Sequence, residues 1–279
     1  MTLAVLALVL VAAGLHAAWN AMLKAAENPL ALATRALTIG TVISTPVVTV
    51  AWFWQGRPGL PLAAWLLAAA SAGLELLYFI ALSTAYRRGE LSAVYPVARG
   101  TAPLLAVLVG LLLLGERVHP VALAGVVCLL AGMWAVRRPA PGSAAFVPAI
   151  VTGVLIAAYS SLDRIGVRLG PPWLYGWVLW LFAAAFLLVF ARLTRLPASG
   201  LNHDPRTAAL VGALMTGAYF LILFALSVAP LAIVAPLRES AIVLVTAWGI
   251  WRLGERRGAW IRVGGAAAIV AGIALLTFS

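Results

Sequence analysis

Residue n of this sequence resembles residue n + 140, and that internal repeat limits the possible folds more than any other feature. Ala17 and Ala18 recur as Ala157 and Ala158. Trp19 stands opposite Tyr159, Asn20 opposite Ser160 and Lys24 opposite Arg164, all without a gap. Ala85, Leu91, Val94 and Pro96 return as Ala225, Leu231, Val234 and Pro236. Leu114-Gly115-Glu116-Arg117 returns as Leu253-Gly254-Glu255-Arg256 after a one-residue slip, and Gly125 and Gly132 return as Gly265 and Gly272. Aliphatic low complexity inflates such agreement, so the Pro, Gly, Glu and Arg matches carry the weight.

Each copy is a train of five apolar stretches. Punctuation by Arg, Pro and Gly predicts ten helices, at about 3–24, 30–54, 61–85, 91–114, 119–136, 146–168, 172–191, 207–228, 231–251 and 259–278. The chain is 64% hydrophobic and 10% charged, against about 45–50% and about 25% in a soluble domain, so its solvent is a bilayer. A hydrocarbon core of about 30 Å needs about 20 apolar residues per helix, which lets a chain of this length hold ten spans if the connections are short. Connections such as Ser227-Val228-Ala229-Pro230 are short, and predict that sequential helices sit side by side. No Lys or Arg precedes the run from Leu3, which continues past His16 to Met22, so it reads as a first membrane helix and not as a secretory leader.

The expected fold is therefore all-α and integral to the membrane, with halves 1–138 and 146–279 joined by a linker at 139–145. Five helices per half is an odd number, so the second half enters the membrane upside down. Inverted repeats of this kind place a substrate site near the bilayer midplane, and rocking of the halves exposes it alternately. Two complete halves in one chain make a monomer sufficient and leave room for a dimer.

Charge excludes several functions. The net charge is +11, but the arginines fall between apolar runs with no aromatic-interleaved basic patch, so they report topology and not nucleic-acid binding. Lys and Arg crowd the odd-numbered connections, from Lys24 and Arg87-Arg88 to Arg256-Arg257, which puts those connections in the cytoplasm and both termini outside. The single cysteine, Cys128, forms no internal disulfide and reads as an inert buried thiol. His16, His119 and His203 are scattered, with no metal-ligand spacing, cofactor motif or catalytic set, so neither a metal, a cofactor nor an enzymatic activity is expected.

A charge held within a membrane helix faces a cavity or a partner. Arg99, Arg238 and Glu239 follow Pro96 and Pro236, each of which frees a carbonyl and bends its helix beside the charge. Two guanidinium groups converging from the two halves suit a carboxylate or phosphate; alternatively, Arg238 pairs with Glu239 or Glu75 as structural glue. Glu75, amid apolar residues of helix 3, is the foremost candidate for proton coupling, with His16 second. Tyr78 shares the face of Glu75 and matches Tyr219 of helix 8; the pair contact a ligand or fill the core. His16, Trp19, Asn20 and Lys24 form one polar stripe on helix 1. Tyr159 and Ser160, the mates of Trp19 and Asn20, and Tyr95 complete the candidate substrate residues. Glu116 and Glu255 read as local caps paired with adjacent arginines, and Asp163 with Arg164 as a local pair closing helix 6.

The sequence resembles the EamA type of the drug/metabolite transporter superfamily over essentially its whole length. The most specific parts are His16-Ala-Ala-Trp19-Asn20 with Lys24, the run Ala85-Tyr86-Arg87-Arg88-Gly89-Glu90-Leu91-Ser92-Ala93-Val94-Tyr95-Pro96-Val97-Ala98-Arg99-Gly100, and the duplicated Leu-Gly-Glu-Arg. The resemblance implies a secondary carrier of a small organic metabolite, often an exporter, in the inner membrane of a bacterial-type cell. It also implies coupling to a proton or substrate gradient, and a cavity lined by helices 1, 3, 4, 6, 8 and 9. It further implies cytoplasmic termini, against the basic-residue count. An anionic or zwitterionic substrate, such as an amino acid or a phosphorylated or carboxylated compound, is the expectation from the two arginines. A cationic or aromatic drug-like compound held by Glu75, Trp19 and the tyrosines is the alternative, and a channel or structural subunit is the alternative of another class.

Overall fold

The computed structural model describes residues 2–88, 91–136, 146–195, 204–241 and 259–277. Among these there are ten α-helices and no strand: α1 (Leu3–Ala25), α2 (Pro29–Trp54), α3 (Leu62–Arg88), α4 (Leu91–Leu112), α5 (Pro120–Val136), α6 (Phe146–Gly166), α7 (Pro172–Leu193), α8 (Pro205–Val228), α9 (Leu231–Arg238) and α10 (Ala259–Thr277). By length and composition α1, α2, α3, α6, α7 and α8 can each cross a membrane, and shorter apolar helical stretches run over Gly100–Leu112, Pro120–Ala135 and Val263–Leu276.

Local chemistry sets where the helices begin. Thr2 accepts the Val5 N–H at 3.4 Å, Asn28 the Ala31 N–H at 3.1 Å and Asp204 the Arg206 N–H at 3.2 Å. α2, α5, α7 and α8 open on proline, whose fixed φ suits a first helical position that needs no N–H. The ninth helix departs from its predicted span of 231–251: α-helix stops at Arg238 and becomes a 3-10 turn over Glu239–Ala241, and 242–251 lie outside the described residues.

Burial is inverted relative to a soluble protein. Trp54 is 90% exposed while Glu75 is 3% exposed, and Leu113, Leu193, Val47 and Trp260 also lie on the outside, with Asp163, Arg238 and Glu239 inside. Apolar residues outward and charges inward is the arrangement that lipid demands.

Among the described residues, sequential helices touch along short stretches only, in contrast to the side-by-side packing their short connections predict. The extensive contacts run between halves: α3 on α6 and α7, α1 on α8, α2 on α7 and α8, α4 on α6 and α9, and α5 on α10. Lipid offers no hydrophobic drive for helix association, so packing follows the small residues that let backbones approach. At Gly125 a Cβ would lie 2.8 Å from the Gly272 carbonyl, and at Gly132 2.5 Å from the Gly265 carbonyl. Gly125 meets Gly272 while Gly132 meets Gly265, so α5 and α10 run antiparallel.

Candidate substrate site

Asp163, in the last turn of α6, is the hub of the buried polar interior. It accepts from Ser71 of α3 at 2.6 Å, from Tyr175 of α7 at 3.1 Å, and from the Tyr219 hydroxyl of α8. Local spacing explains the set. Ser71 and Glu75 are four apart on one face of α3, so the face that bonds Asp163 also carries Glu75. Glu75 lies beside Tyr219 and within the field of Asp163, and Arg238 acts on Asp163 from α9. Gly166 leaves the room that the Tyr175 ring occupies on its way to Asp163.

An aromatic wall adjoins these carboxyl groups. Trp180 stacks on Tyr219 with ring centroids 4.4 Å apart, and the series continues from Tyr219 to Tyr159 at 6.4 Å and from Tyr159 to Tyr78 at 5.7 Å. The Trp180 indole is fixed by donating to Thr216 at 2.8 Å. Arg238 and Glu239 are both buried, with 3.5 Å between Nε and the nearer carboxylate oxygen.

Several buried polar side-chain atoms have no hydrogen-bond partner: Glu75 Oε2 on α3, Ser160 Oγ on α6, Arg238 Nε on α9, Ser240 Oγ just after it and, on α1, Trp19 Nε1. Buried polar groups are ordinarily paired, so these atoms are candidate contacts for another molecule.

A second polar group occupies the far end of α1. Asn20 donates to the His16 carbonyl at 2.8 Å and receives the Tyr86 hydroxyl at 3.4 Å, His16 packs edge-on against Trp19 at 4.5 Å, and Lys24 donates to the Tyr86 carbonyl at 3.1 Å. Tyr86 lies fifteen residues beyond Ser71 on α3, about 22 Å at 1.5 Å per residue. This group therefore sits toward the opposite end of the molecule from Asp163.

Of the residues predicted from sequence, Glu75, Tyr78, Tyr159, Ser160, Tyr219, Arg238, Glu239, Trp19 and Asn20 are buried in the described interior, and His16 is half-buried. Arg99 and Tyr95 fall on α4, but their side chains lie outside the described residues, as does Glu255. Two local readings are corrected. Asp163 and Arg164 do not pair with each other: adjacent residues point about 100° apart on a helix, so Asp163 turns into the interior while Arg164 reaches Glu116 at 2.8 Å. Glu116 likewise pairs with Arg164 and not with the adjacent Arg117. Asp163, Ser71, Tyr175 and Trp180 went unrecognised as site residues. The available signal was Asp163 four residues after Tyr159, one turn along the same face.

A cavity of about 520 Å³ opens elsewhere, between the end of α2, the α2–α3 turn and the start of α7, walled by Trp52, Trp65 and Trp177 with Arg57 at its rim. α7 separates it from the buried cluster, with Trp177 on the cavity side and Tyr175 bonded to Asp163.

Residues 2–138 match the EamA-like transporter family. The first half of the chain thus carries the match to that family. EamA-like proteins are membrane transporters, not enzymes, within the drug/metabolite transporter superfamily, so this is a multi-pass membrane protein that moves a small molecule across the bilayer. A solved structure at 23% identity superposes with a TM-score of 0.73, covering 99% of this chain and 96% of its own, which establishes a shared fold. Among curated proteins no relative matches.

Proposed function

We propose that this EamA-like transporter is a ten-span secondary carrier of two inverted five-helix halves, exchanging a small organic amine by alternating access at the Asp163–Glu75 site. Three observations support the inverted halves. The repeat mates Gly125/Gly265 and Gly132/Gly272 meet crosswise on antiparallel helices, as a two-fold axis requires. Exchanging the halves also turns the α3–α6 contact into α8–α1 and the α2–α8 contact into α7–α3, both of which are present. Finally, Lys24 and Arg164 bond equivalent carbonyls.

The single observation that carries the substrate class is the company of Asp163. Among the described buried residues Glu75, Asp163 and Glu239 outnumber Arg238, and an aromatic wall adjoins them. An ammonium group between Glu75 and Asp163, with its apolar body against Tyr219, Tyr159 and Tyr78, satisfies charge and shape together. The same carboxyl pair carries a proton when the amine leaves, which gives exchange without a second site. A zwitterion is the second reading, favoured by Arg238, whose Nε makes only a 3.5 Å ion pair with Glu239 and no hydrogen bond, leaving the guanidinium able to meet a carboxylate. The family resemblance supports export across a bacterial-type inner membrane, by a monomer or by each copy in a dimer.

A thermal-shift screen against amines, amino acids and organic anions, followed by counterflow in liposomes, tests this. Ligands that bind only the folded state raise the apparent Tm. Stabilisation and counterflow by amines, lost in Glu75→Gln, support the proposal. Stabilisation by anions alone, lost in Arg238→Gln, overturns it.

A further inference from the structure

Glu116 sits in the α4–α5 turn of the first half, and among the described residues every partner of its carboxylate belongs to the second half. Oε1 accepts from Arg164 Nε at 2.8 Å and from the Leu231 N–H at 2.8 Å, and Oε2 accepts from the Ala232 N–H at 3.0 Å. Arg164, at the end of α6, also donates to the Leu226 carbonyl in the last turn of α8. One carboxylate thus joins the end of α6 to the α8–α9 connection. The first two amides of a helix have no intrahelical acceptor, and a negative charge there is favoured by the helix dipole. Here that charge comes from the opposite half of the protein.

The turn that delivers Glu116 is shaped for the purpose. Gly115 takes φ +60°, a left-handed conformation that glycine adopts without cost, and the Glu116 N–H closes on the Gly110 carbonyl at 2.9 Å. Gly110 also leaves the space the carboxylate fills, since a Cβ there would lie 2.6 Å from Oε2. The helix so held carries Arg238 and Glu239 at its other end, and Arg164 follows Asp163 directly. Glu116 therefore fixes both of the second-half segments that supply charge to the buried site.

We propose that Glu116 is a positioning residue that latches this end of the protein shut. Exposing the site on the face of the α4–α5 and α8–α9 turns requires its release from Arg164 and α9. The proposal rests on the alternating-access reading above, but its test needs neither substrate nor transport, so the two fail separately. The reporter is Val234→Cys, one turn into α9 and 1% exposed, in a Cys128→Ala background that leaves no other thiol. Protein in liposomes of known orientation is treated with a membrane-impermeant maleimide from each face.

Adding Glu116→Gln is expected to raise labelling from the α8–α9 face about tenfold, because a neutral amide holds the guanidinium and the helix end far more weakly than a carboxylate. Labelling from the other face stays unchanged. Arg164→Gln, which leaves both α9 amides bonded, raises labelling by less, and Arg164→Lys restores protection. Unchanged labelling in both Gln variants, or an equal rise from both faces, overturns the proposal. If Glu116→Gln does not fold, Arg164→Gln and its Lys rescue decide the matter alone.

Discussion

Lys24 and Arg164, 140 residues apart and repeat mates in the sequence, make the same bond. The Lys24 ammonium donates to the carbonyl of Tyr86, and the Arg164 guanidinium, 140 residues later, donates to the carbonyl of Leu226, itself 140 residues after Tyr86. A basic residue ending the first helix of each half thus ties down the end of the third. Both count as topology signals when loops are tallied, yet both are structural.

Replacing Lys24 with Met removes a charged donor from a carbonyl at a helix end, a bond worth about 1.5–3 kcal/mol. The apparent Tm of the purified protein should fall by several degrees, whereas Lys24→Arg, which copies the second half, should hold it. Equal melting of Met and Arg variants would show that this bond contributes nothing.

Glu75 and Asp163 should separate binding from folding. Asp163 accepts three O–H donors, and an Asn in its place turns an N–H₂ toward at least one of them, leaving a buried donor unmet at a cost of about 1–3 kcal/mol. Asp163→Asn should lose both thermal stability and amine binding. Glu75 Oε2 meets no hydrogen-bond partner, so Glu75→Gln should melt near the native Tm while amine affinity falls at least about tenfold, or ~1.4 kcal/mol. Melting curves with and without ligand read both quantities.

These roles divide along what a sequence can express. Five apolar stretches written twice announce the helices, and Glu75, Tyr219 and Arg238 stand out because charge and aromatic hydroxyls are rare among Leu and Ala. Asp163 was hidden by its neighbour: beside Arg164 near a helix end it reads as half of a surface pair. Only the packing of α3, α7 and α8 on α6 reveals that the two point apart. The reach of Glu116 was hidden for a related reason, since Leu231 lies 115 residues away and no spacing rule connects a turn to the first amides of a distant helix.

His16 bears on proton coupling. Its carbonyl, not its ring, accepts from Asn20, and the ring packs edge-on against Trp19. His16→Gln leaves Glu75 and Asp163 untouched, so an imposed pH gradient should still drive amine accumulation in liposomes. Loss of that drive with substrate binding intact would move the coupling proton from the Glu75–Asp163 pair to His16.

Gly110→Ala examines the latch without touching a charge. The new Cβ would meet Glu116 Oε2 at 2.6 Å and both the nitrogen and the Cβ of Ala232 at 3.2 Å. Helix backbone cannot retreat easily, but the carboxylate can swing away once its bonds break. The helix itself gains propensity from Gly to Ala, by up to about 1 kcal/mol. The variant should therefore fold, keep its Tm within a few degrees, and label at Val234→Cys from the α8–α9 face as Glu116→Gln does. A variant that folds, melts normally and stays protected would show that the carboxylate finds another way to hold α9.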